Sequence, residues 1–199
     1  MLTLKKSQLR AAMHCSAKKD IRYYLVGVYL ECASNGDMHI VGCDGHTLFA
    51  GLIPAPYVQW TGEPQVGPWS MIIPLDTVKS ALKADKHSII DLVAMPDGRY
   101  MLGSTVFSPV DGSYPDWRRA SRWPAAASEA GQYDPDLLVQ VNSAVKEWFD
   151  GGSKWTGYLH QFGTSSAVYT GDNMTGFSII MPYRANDSDI RPFTPASYK

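Results

Sequence analysis

The stretch DIRYYLVGVYLE, from Asp20 to Glu31, is followed after a polar loop by VGCDGHTLFAG, from Val41 to Gly51. Both are rich in β-branched and aromatic residues, which is typical of strands. The second is interrupted by Asp-Gly-His, where a plain hairpin strand would stay apolar. This interruption is compatible with a catalytic site, a metal site or the wall of a binding site.

One order of elements recurs along the chain. It begins with a strand at 2–4 and a helix over SQLRAAMHCSAKK with Ser7 as N-cap, and three strands follow. The same order recurs from the predicted strand SMIIPL, which is followed by a predicted helix in DTVKSALKADK. It recurs a third time from GQYD. The third helix, PDLLVQVNSAVKEWFDGG, is predicted to have Asp134 as N-cap, Pro135 at its first position and Gly151 as C-cap.

A period of about 55 residues predicts three units that share their cores with neighbours. The predicted parts are a complete domain over 1–121 with units 1–56 and 69–121, a linker over 122–131, a third half-domain unit over 132–184 and a flexible tail over 185–199. Because three is odd, one unit lacks a partner within the chain.

Composition excludes some classes of protein. The 199 residues are 45% hydrophobic, and 18 basic against 19 acidic residues give a net charge of -1. No global positive field is present, so any contact with DNA must come from local patches. There is neither a signal peptide nor an apolar run near the roughly 20 residues that cross a bilayer, so we expect a cytoplasmic protein without membrane association. The three cysteines lack zinc-site spacing and are expected to be buried or half-buried thiols.

Four segments resemble a known family: DIRYYLVGVYLE, DGHTLFAG, VDGSYPDWRRA and SIIMPYR. In the same order they resemble the bacterial sliding clamp, the beta subunit of DNA polymerase III. The first three resemble its middle domain and the last its extreme C-terminus, so the resemblance covers residues 1–120 well and 160–184 more thinly. It implies an α+β DNA-clamp fold of repeated strand-helix-strand-strand-strand units, with sheets outside and helices inside a ring.

The resemblance also implies a hydrophobic pocket that binds the linear motif of polymerases and partner proteins. Carried over position by position, its residues are Leu25, Cys43, Gly45, His46, Thr47, Leu48, Pro115, Arg119, Ala120, Ile179, Met181, Pro182, Tyr183 and Arg184. Apolar members would hold the anchors of the peptide, and the basic members would contact it at the rim. Thr47 stands where the family usually has Arg, and Tyr183 where a second Met is common, so the peptide preference is expected to differ.

In the family the helices face DNA, where basic side chains contact phosphates without sequence preference. The residues predicted to face DNA are Lys5, Lys6, Arg10, Lys18, Lys19, Lys79, Lys83 and Lys86. The third helix instead offers Lys146 against Asp136, Glu147 and Asp150. We therefore expect weaker DNA binding than the first two helices alone would suggest.

Simpler interpretations exist for the same residues. Asp44 and His46 have the residue types of an acid/base pair or of two metal ligands, but no third ligand, nucleophile elbow or Gly-rich phosphate loop accompanies them. Taken alone, Ile179 and Met181 are typical of strand core, and DWRR is typical of a solvated turn over Trp117. The prediction is a protein that is not an enzyme, with no catalytic residue, metal or cofactor.

Two functions stay open. The first is a replication processivity factor of a phage or other mobile element. It would encircle double-stranded DNA as a homo-oligomer and hold polymerase and other proteins with clamp-binding motifs. A ring of twelve units needs four such chains, joined third unit to third unit and first unit to first unit; a dimer is the alternative. The second is a clamp mimic that does not encircle DNA and sequesters clamp-binding proteins to modulate replication.

Overall fold

The computed structural model describes most of the chain. The described residues are 1–63, 67–84, 86–121, 131–151, 157–162, 166–171 and 175–182. Nearly all of the predicted linker, the whole predicted tail, and Tyr183 and Arg184 of the predicted pocket lie outside these ranges.

Short strands and a few helices alternate along the described residues. They are β1 (Leu2–Lys5), α1 (Lys6–Cys15), β2 (Gly27–Cys32), β3 (Met38–Cys43), β4 (Thr47–Ile53), β5 (Gln59–Trp60), β6 (Trp69–Pro74), α2 (Leu75–Ala84), β7 (Ile89–Ala94), β8 (Tyr100–Leu102), β9 (Thr105–Phe107), α3 (Trp117–Ala120), α4 (Pro135–Trp148), β10 (Tyr158–His160), β11 (Ala167–Thr170) and β12 (Gly176–Ile180). Short 3₁₀ helices add Tyr23–Leu25 and Ala55–Tyr57.

The strands form two antiparallel sheets. One has the order β5-β1-β7-β8-β9 and the other the order β10-β11-β12-β4-β3-β2-β6. The first two units exchange their leading strands: β1 pairs with β7 of the second unit, and β6 pairs with β2 of the first. Because each unit completes the sheet of the other, neither closes its core alone.

The helices pack on these sheets and enclose the main core. Helix α1 contacts β3 and β4, and α2 contacts strands of both sheets. The approach of α1 is close at Gly42, where an added Cβ would lie 1.9 Å from the carbonyl oxygen of Ala12. Only a glycine fits there, and it sets the spacing between helix and sheet.

The third unit continues the larger sheet directly from the first. Strand β12 pairs antiparallel with β4, and α4 packs beside α1. Trp148 of α4 lies over the paired glycines Gly51 and Gly176, where added Cβ atoms would lie 2.3 and 2.5 Å from its ring. Because these two paired glycines have no side chains, the indole ring of Trp148 can pack directly on the β4–β12 pair.

This pairing corrects one expectation about assembly. The predicted tetramer joined first units of neighbouring chains, but the free edge of β4 is taken by β12 of the same chain. That edge is therefore not available for a contact between the first units of two chains. Among the described residues, four strands end their sheets with one neighbour each: β5, β6, β9 and β10.

Two predicted helix caps differ in the structure. Ser7 lies inside α1, because β1 leads straight into the helix and Lys5 occupies the N-cap position. Helix α4 begins at Pro135 as predicted, but Phe149 and not Gly151 is the C-cap. Asp150 takes the left-handed conformation there, with φ of 50°. None of the helices in the described ranges is long and apolar enough to cross a membrane.

Candidate functional site

A second, smaller group of apolar side chains lies apart from the main core. Its buried members are Val41, Leu48, Ala50, Trp117 and Ile179, and Tyr29, Cys43, Tyr114, Ala120 and Phe177 pack against them. We call this group the outer cluster. It unites residues of all three predicted units, and four of the predicted pocket residues belong to it: Cys43, Leu48, Ala120 and Ile179.

The Asp-Gly-His interruption forms the turn between β3 and β4, beside this cluster. Asp44 Oδ1 accepts hydrogen bonds from the backbone N–H groups of His46 and Thr47, at 2.8 and 2.7 Å. Asp44 Oδ2 accepts from the Thr47 hydroxyl at 3.1 Å. Gly45 has φ of 93°, a left-handed conformation that favours glycine. The carboxylate therefore serves as the acceptor that shapes the turn.

A residue that the sequence did not point to joins this turn to the third unit. Gln140 of α4 donates through Nε2 to Asp44 Oδ2 at 2.8 Å and to Thr47 Oγ1 at 2.7 Å. Thr47 is buried, and Asp44 and Gln140 are half-buried, so this network is partly shielded from solvent. The position of α4 is thereby coupled to the shape of the turn.

Arg22 supports the turn from the other side. Its guanidinium binds both carboxylate oxygens of Asp20, at 3.0 and 2.7 Å, and donates to the Asp44 carbonyl at 3.3 Å. Hydrogen bonds from Arg22 lower the pKa of Asp20 to about 2. A Cβ at Gly45 would lie 2.8 Å from Arg22 Nη2, so the glycine also makes room for this guanidinium.

Helix α3 is anchored on the outer face of the sheet. Trp117 is 7% exposed and donates through Nε1 to Glu31 at 3.4 Å. Arg118 makes a two-point ion pair with Glu31, at 2.9 and 3.0 Å, and its guanidinium lies 4.3 Å from the Trp117 ring centre. The ring of His39 lies 5.2 Å from that of Trp117. These contacts fix α3, which carries Arg119 and Ala120.

Burial and the neighbouring Arg118 charge shift the pKa values of both Glu31 and His39 at this anchor. Burial, the largest effect, raises the pKa of Glu31, but hydrogen bonds and charge from Arg118 outweigh it and lower that pKa overall. The pKa of His39 is lowered, first by burial and then by Arg118. Both shifts keep the ion pair formed and the imidazole neutral near neutral pH.

The other predicted pocket residues differ in exposure. Met181 is 47% exposed, and its backbone N–H donates to the His46 carbonyl at 2.9 Å, which holds the two residues side by side. His46, Pro115 and Arg119 are exposed. Pro182 is half-buried, whereas Leu25 is 1% exposed and thus belongs to the interior.

For one of the predicted DNA-facing residues, Lys6, the structure contradicts the prediction. Lys6 is 3% exposed, and its ammonium points toward the Leu82 carbonyl at 3.5 Å, near the end of α2. The negative end of the α2 dipole and this carbonyl favour a cation there. Lys6 therefore connects two helices inside the domain and is not available to DNA.

Two further predicted cations are paired with the third unit. Arg10 Nε lies 2.6 Å from Glu147 Oε1, and Lys5 Nζ lies 3.7 Å from Asp150 Oδ2. All four side chains are at least 30% exposed, so these are surface ion pairs across the α1–α4 contact. Acidic residues of the third unit thus neutralise two cations of the first unit.

The remaining predicted cations are exposed: Lys18, Lys19, Lys79, Lys83 and Lys86. Lys79 and Lys83 lie on α2, and Lys79 pairs with Asp76 at 3.0 Å. Lys18 and Lys19 follow the end of α1 and so belong to a loop instead of a helix. Within the described ranges, no group of three or more His, Cys, Asp or Glu side chains could hold a metal ion.

Comparison with known proteins gives a consistent picture of the fold. Neither a protein-family model nor a curated protein matches the chain by sequence. Solved structures do match. The DNA polymerase III subunit beta from Pseudomonas aeruginosa has a TM-score of 0.67 at 16% identity, over 92% of this chain and 65% of that one. The beta subunit from Streptococcus pyogenes gives 0.67 at 14%, over 92% and 66%.

A third structure agrees: DNA polymerase III beta subunit from Thermotoga maritima, with a TM-score of 0.65 at 15% identity, over 94% of this chain and 66% of that one. The chain thus spans about two thirds of the length of these proteins. Its two antiparallel sheets and few helices match the fold of these neighbours, which confirms the fold implied by the resemblance. The chain has the fold of the sliding clamp, the DNA polymerase III beta subunit.

Proposed function

We propose that the chain is a sliding-clamp-like protein of DNA replication that binds linear motifs of polymerase and partner proteins at the outer cluster. The observation that carries this proposal is the meeting of three units at one surface. Leu48, Trp117 and Ile179 come from different units and are buried together, beside the half-exposed Met181. An apolar surface with a flexible methionine at its margin suits the anchors of a short peptide.

Titration of a labelled clamp-binding peptide tests this site. Met181→Ala should weaken binding about tenfold, because an exposed apolar contact of the peptide is lost. Ile89→Ala is the matched control, since Ile89 is 48% exposed against 47% for Met181 but lies on the other sheet. Absence of saturable binding to the wild type would refute the peptide site.

We further propose that the chain acts as a non-enzymatic cytoplasmic protein, and that it closes around double-stranded DNA as a tetramer. With the β4 edge occupied, the ring contacts proposed here are second unit to second unit, through the edge strand β9, and third unit to third unit, through the edge strand β10. Retention on circular DNA and loss from linear DNA would support encirclement.

One observation favours the second candidate, a mimic that does not encircle DNA. Lys5 and Arg10 are paired with Asp150 and Glu147, which lowers the positive charge offered to a duplex. A protein that binds clamp-binding motifs needs no such charge. Saturable peptide binding together with equal, weak retention on circular and linear DNA would favour this function over the ring.

A further inference from the structure

A cavity of about 270 Å³ lies between the two sheets, away from the outer cluster. Its walls come from both sheets and from the residues that flank them: Met1, Leu2, Trp60, Glu63, Trp69, Met71, Leu92, Ala94 and Tyr100. None of these residues belongs to the outer cluster or to the predicted DNA-facing set. The cavity is therefore a separate feature of the two-unit domain.

The cavity has an apolar floor and a polar mouth. Leu2, Met71 and Leu92 are between 2 and 8% exposed and form the floor, whereas Glu63 and Met1 are exposed at the mouth. Trp60 and Trp69 stand edge to face, with ring centres 6.5 Å apart and planes at 76°. With Tyr100, they give the cavity three aromatic rings, which suits a flat unsaturated ligand.

One polar atom of this wall lacks a partner. Within the described ranges, the indole N–H of Trp69 is buried and makes no hydrogen bond. A buried donor without an acceptor is unfavourable, and nearly all such groups in proteins find a partner. That N–H has almost no accessible surface, so a ligand in the cavity does not reach it, whereas the Glu63 carboxylate at the mouth would accept from a donor on a ligand.

We propose that this cavity binds a small aminated heteroaromatic ring, of which adenine is the simplest probe. The ring would contact the faces and edges of Trp60 and Tyr100. An exocyclic amine would donate to the Glu63 carboxylate. The volume corresponds to about nine water molecules at the density of the liquid, which is enough for one or two fused rings. This binding is independent of the function proposed above.

Indole N–H resonances in NMR spectra of the isotope-labelled full chain test the proposal. The chain has six tryptophans, and Trp69→Phe identifies the resonance of Trp69 by its loss. Adenine should shift the Trp69 resonance saturably. The resonance of Trp148, which lies at the β4–β12 junction, serves as the internal control and should stay in place.

Two matched changes test the polar contacts. Glu63→Ala should weaken adenine binding about tenfold, because a hydrogen bond to a charged acceptor is lost. Purine, which lacks the exocyclic amine, should bind the wild type about as weakly as adenine binds Glu63→Ala, and should not distinguish the two proteins.

Three results would overturn the proposal. The Trp69 resonance does not shift at any adenine concentration up to its solubility limit, or Trp148 shifts together with it. The third is that Glu63→Ala binds adenine as tightly as the wild type. Because no DNA or peptide is present, failure here leaves the proposed replication role untouched, and failure of peptide binding leaves this cavity untouched.

Discussion

Gly51 and Gly176 show how a single atom decides the contact between the first and third units. Their missing Cβ atoms leave the space that the Trp148 ring fills. Gly176→Ala should lower the free energy of unfolding by about 1–3 kcal/mol, because a Cβ 2.5 Å from the ring would displace Trp148 from its packed position. Urea denaturation followed by circular dichroism measures this loss.

Trp148→Ala supplies the control for this glycine. If the clash with the ring is the cause, Gly176→Ala should cost little once Trp148→Ala has removed the ring, since alanine is otherwise tolerated in a strand. A double-mutant cycle with a coupling energy near zero would instead place the cost in the backbone of β12.

His39 gives a pH dependence at the residue scale. Its folded pKa is lowered from 6.5 by burial and by Arg118, while Glu31 and Asp37 act in the opposite direction. The unfolded chain therefore takes up the proton first as the pH falls. The stability contributed by neutral His39 is complete above pH 6.5 and is lost as the pH falls through 6.5 toward the folded pKa.

The measurement compares urea midpoints at about pH 7.5 and about pH 5.5 for the wild type and for His39→Phe. Phenylalanine keeps a ring against Trp117 but cannot titrate. The midpoint of the variant should fall less over this interval. Glu31 does not interfere, because its folded pKa is lowered from 4.5 and its contribution is lost only below that pH. Equal falls would show that His39 is not responsible.

At the scale of elements, ion pairs across the contact of α1 with α4 reduce the number of free cations on the surface proposed to face DNA. Glu147→Gln should free Arg10 and add about one phosphate contact per chain, so the plot of log affinity against log salt should become steeper by about 1. Fluorescence anisotropy with a labelled duplex over a range of salt concentrations measures this slope.

Asp136→Asn is the matched control for Glu147. Asp136 is an exposed acid in the first turn of α4, and its replacement removes the same charge without releasing Arg10. Equal changes in slope for both variants would mean that net charge alone is responsible. An unchanged slope for Glu147→Gln, with measurable binding by the wild type, would mean that Arg10 does not contact DNA.

The sequence predicted some elements well for local reasons. Asp134 followed by Pro135 marked the start of α4, and the Asp134 carboxylate does cap it by accepting from Asp136 N–H at 2.9 Å. The start of α1 was misplaced, because β1 continues into it without a loop. The role of Lys6 depends on a second helix far along the chain, which no local pattern reveals.

At the candidate site too, some features depend on local sequence and others on contacts between distant parts of the chain. The turn at Asp44 depends on local sequence, because the Asp carboxylate accepts from backbone N–H groups two and three residues further on, those of His46 and Thr47. Gln140 could not be predicted, since its bond to Asp44 spans 96 positions and depends on the pairing of β12 with β4. The meeting of Cys43, Leu48, Ala120 and Ile179 was implied by the family resemblance alone.

For the whole molecule, the order of units in space decides how copies can meet. The third unit lies next to the first in space. The second unit therefore lies on one side of the first unit and the third unit on the other. The proposed tetramer then uses two kinds of dyad contact, one between second units through β9 and one between third units through β10. Four chains of 22.0 kDa would give about 88 kDa.

Val106→Lys tests the β9 contact. Val106 is 42% exposed on this edge strand, and in a contact with a dyad the change brings two lysines together, which disfavours edge pairing. Because the β10 contact is untouched, light scattering should show about half the tetramer mass. Ile89→Lys, on an inner strand of the same sheet, should leave the mass unchanged. A tetramer that survives Val106→Lys would exclude β9 as a contact, and a wild-type monomer would exclude the ring and favour the mimic.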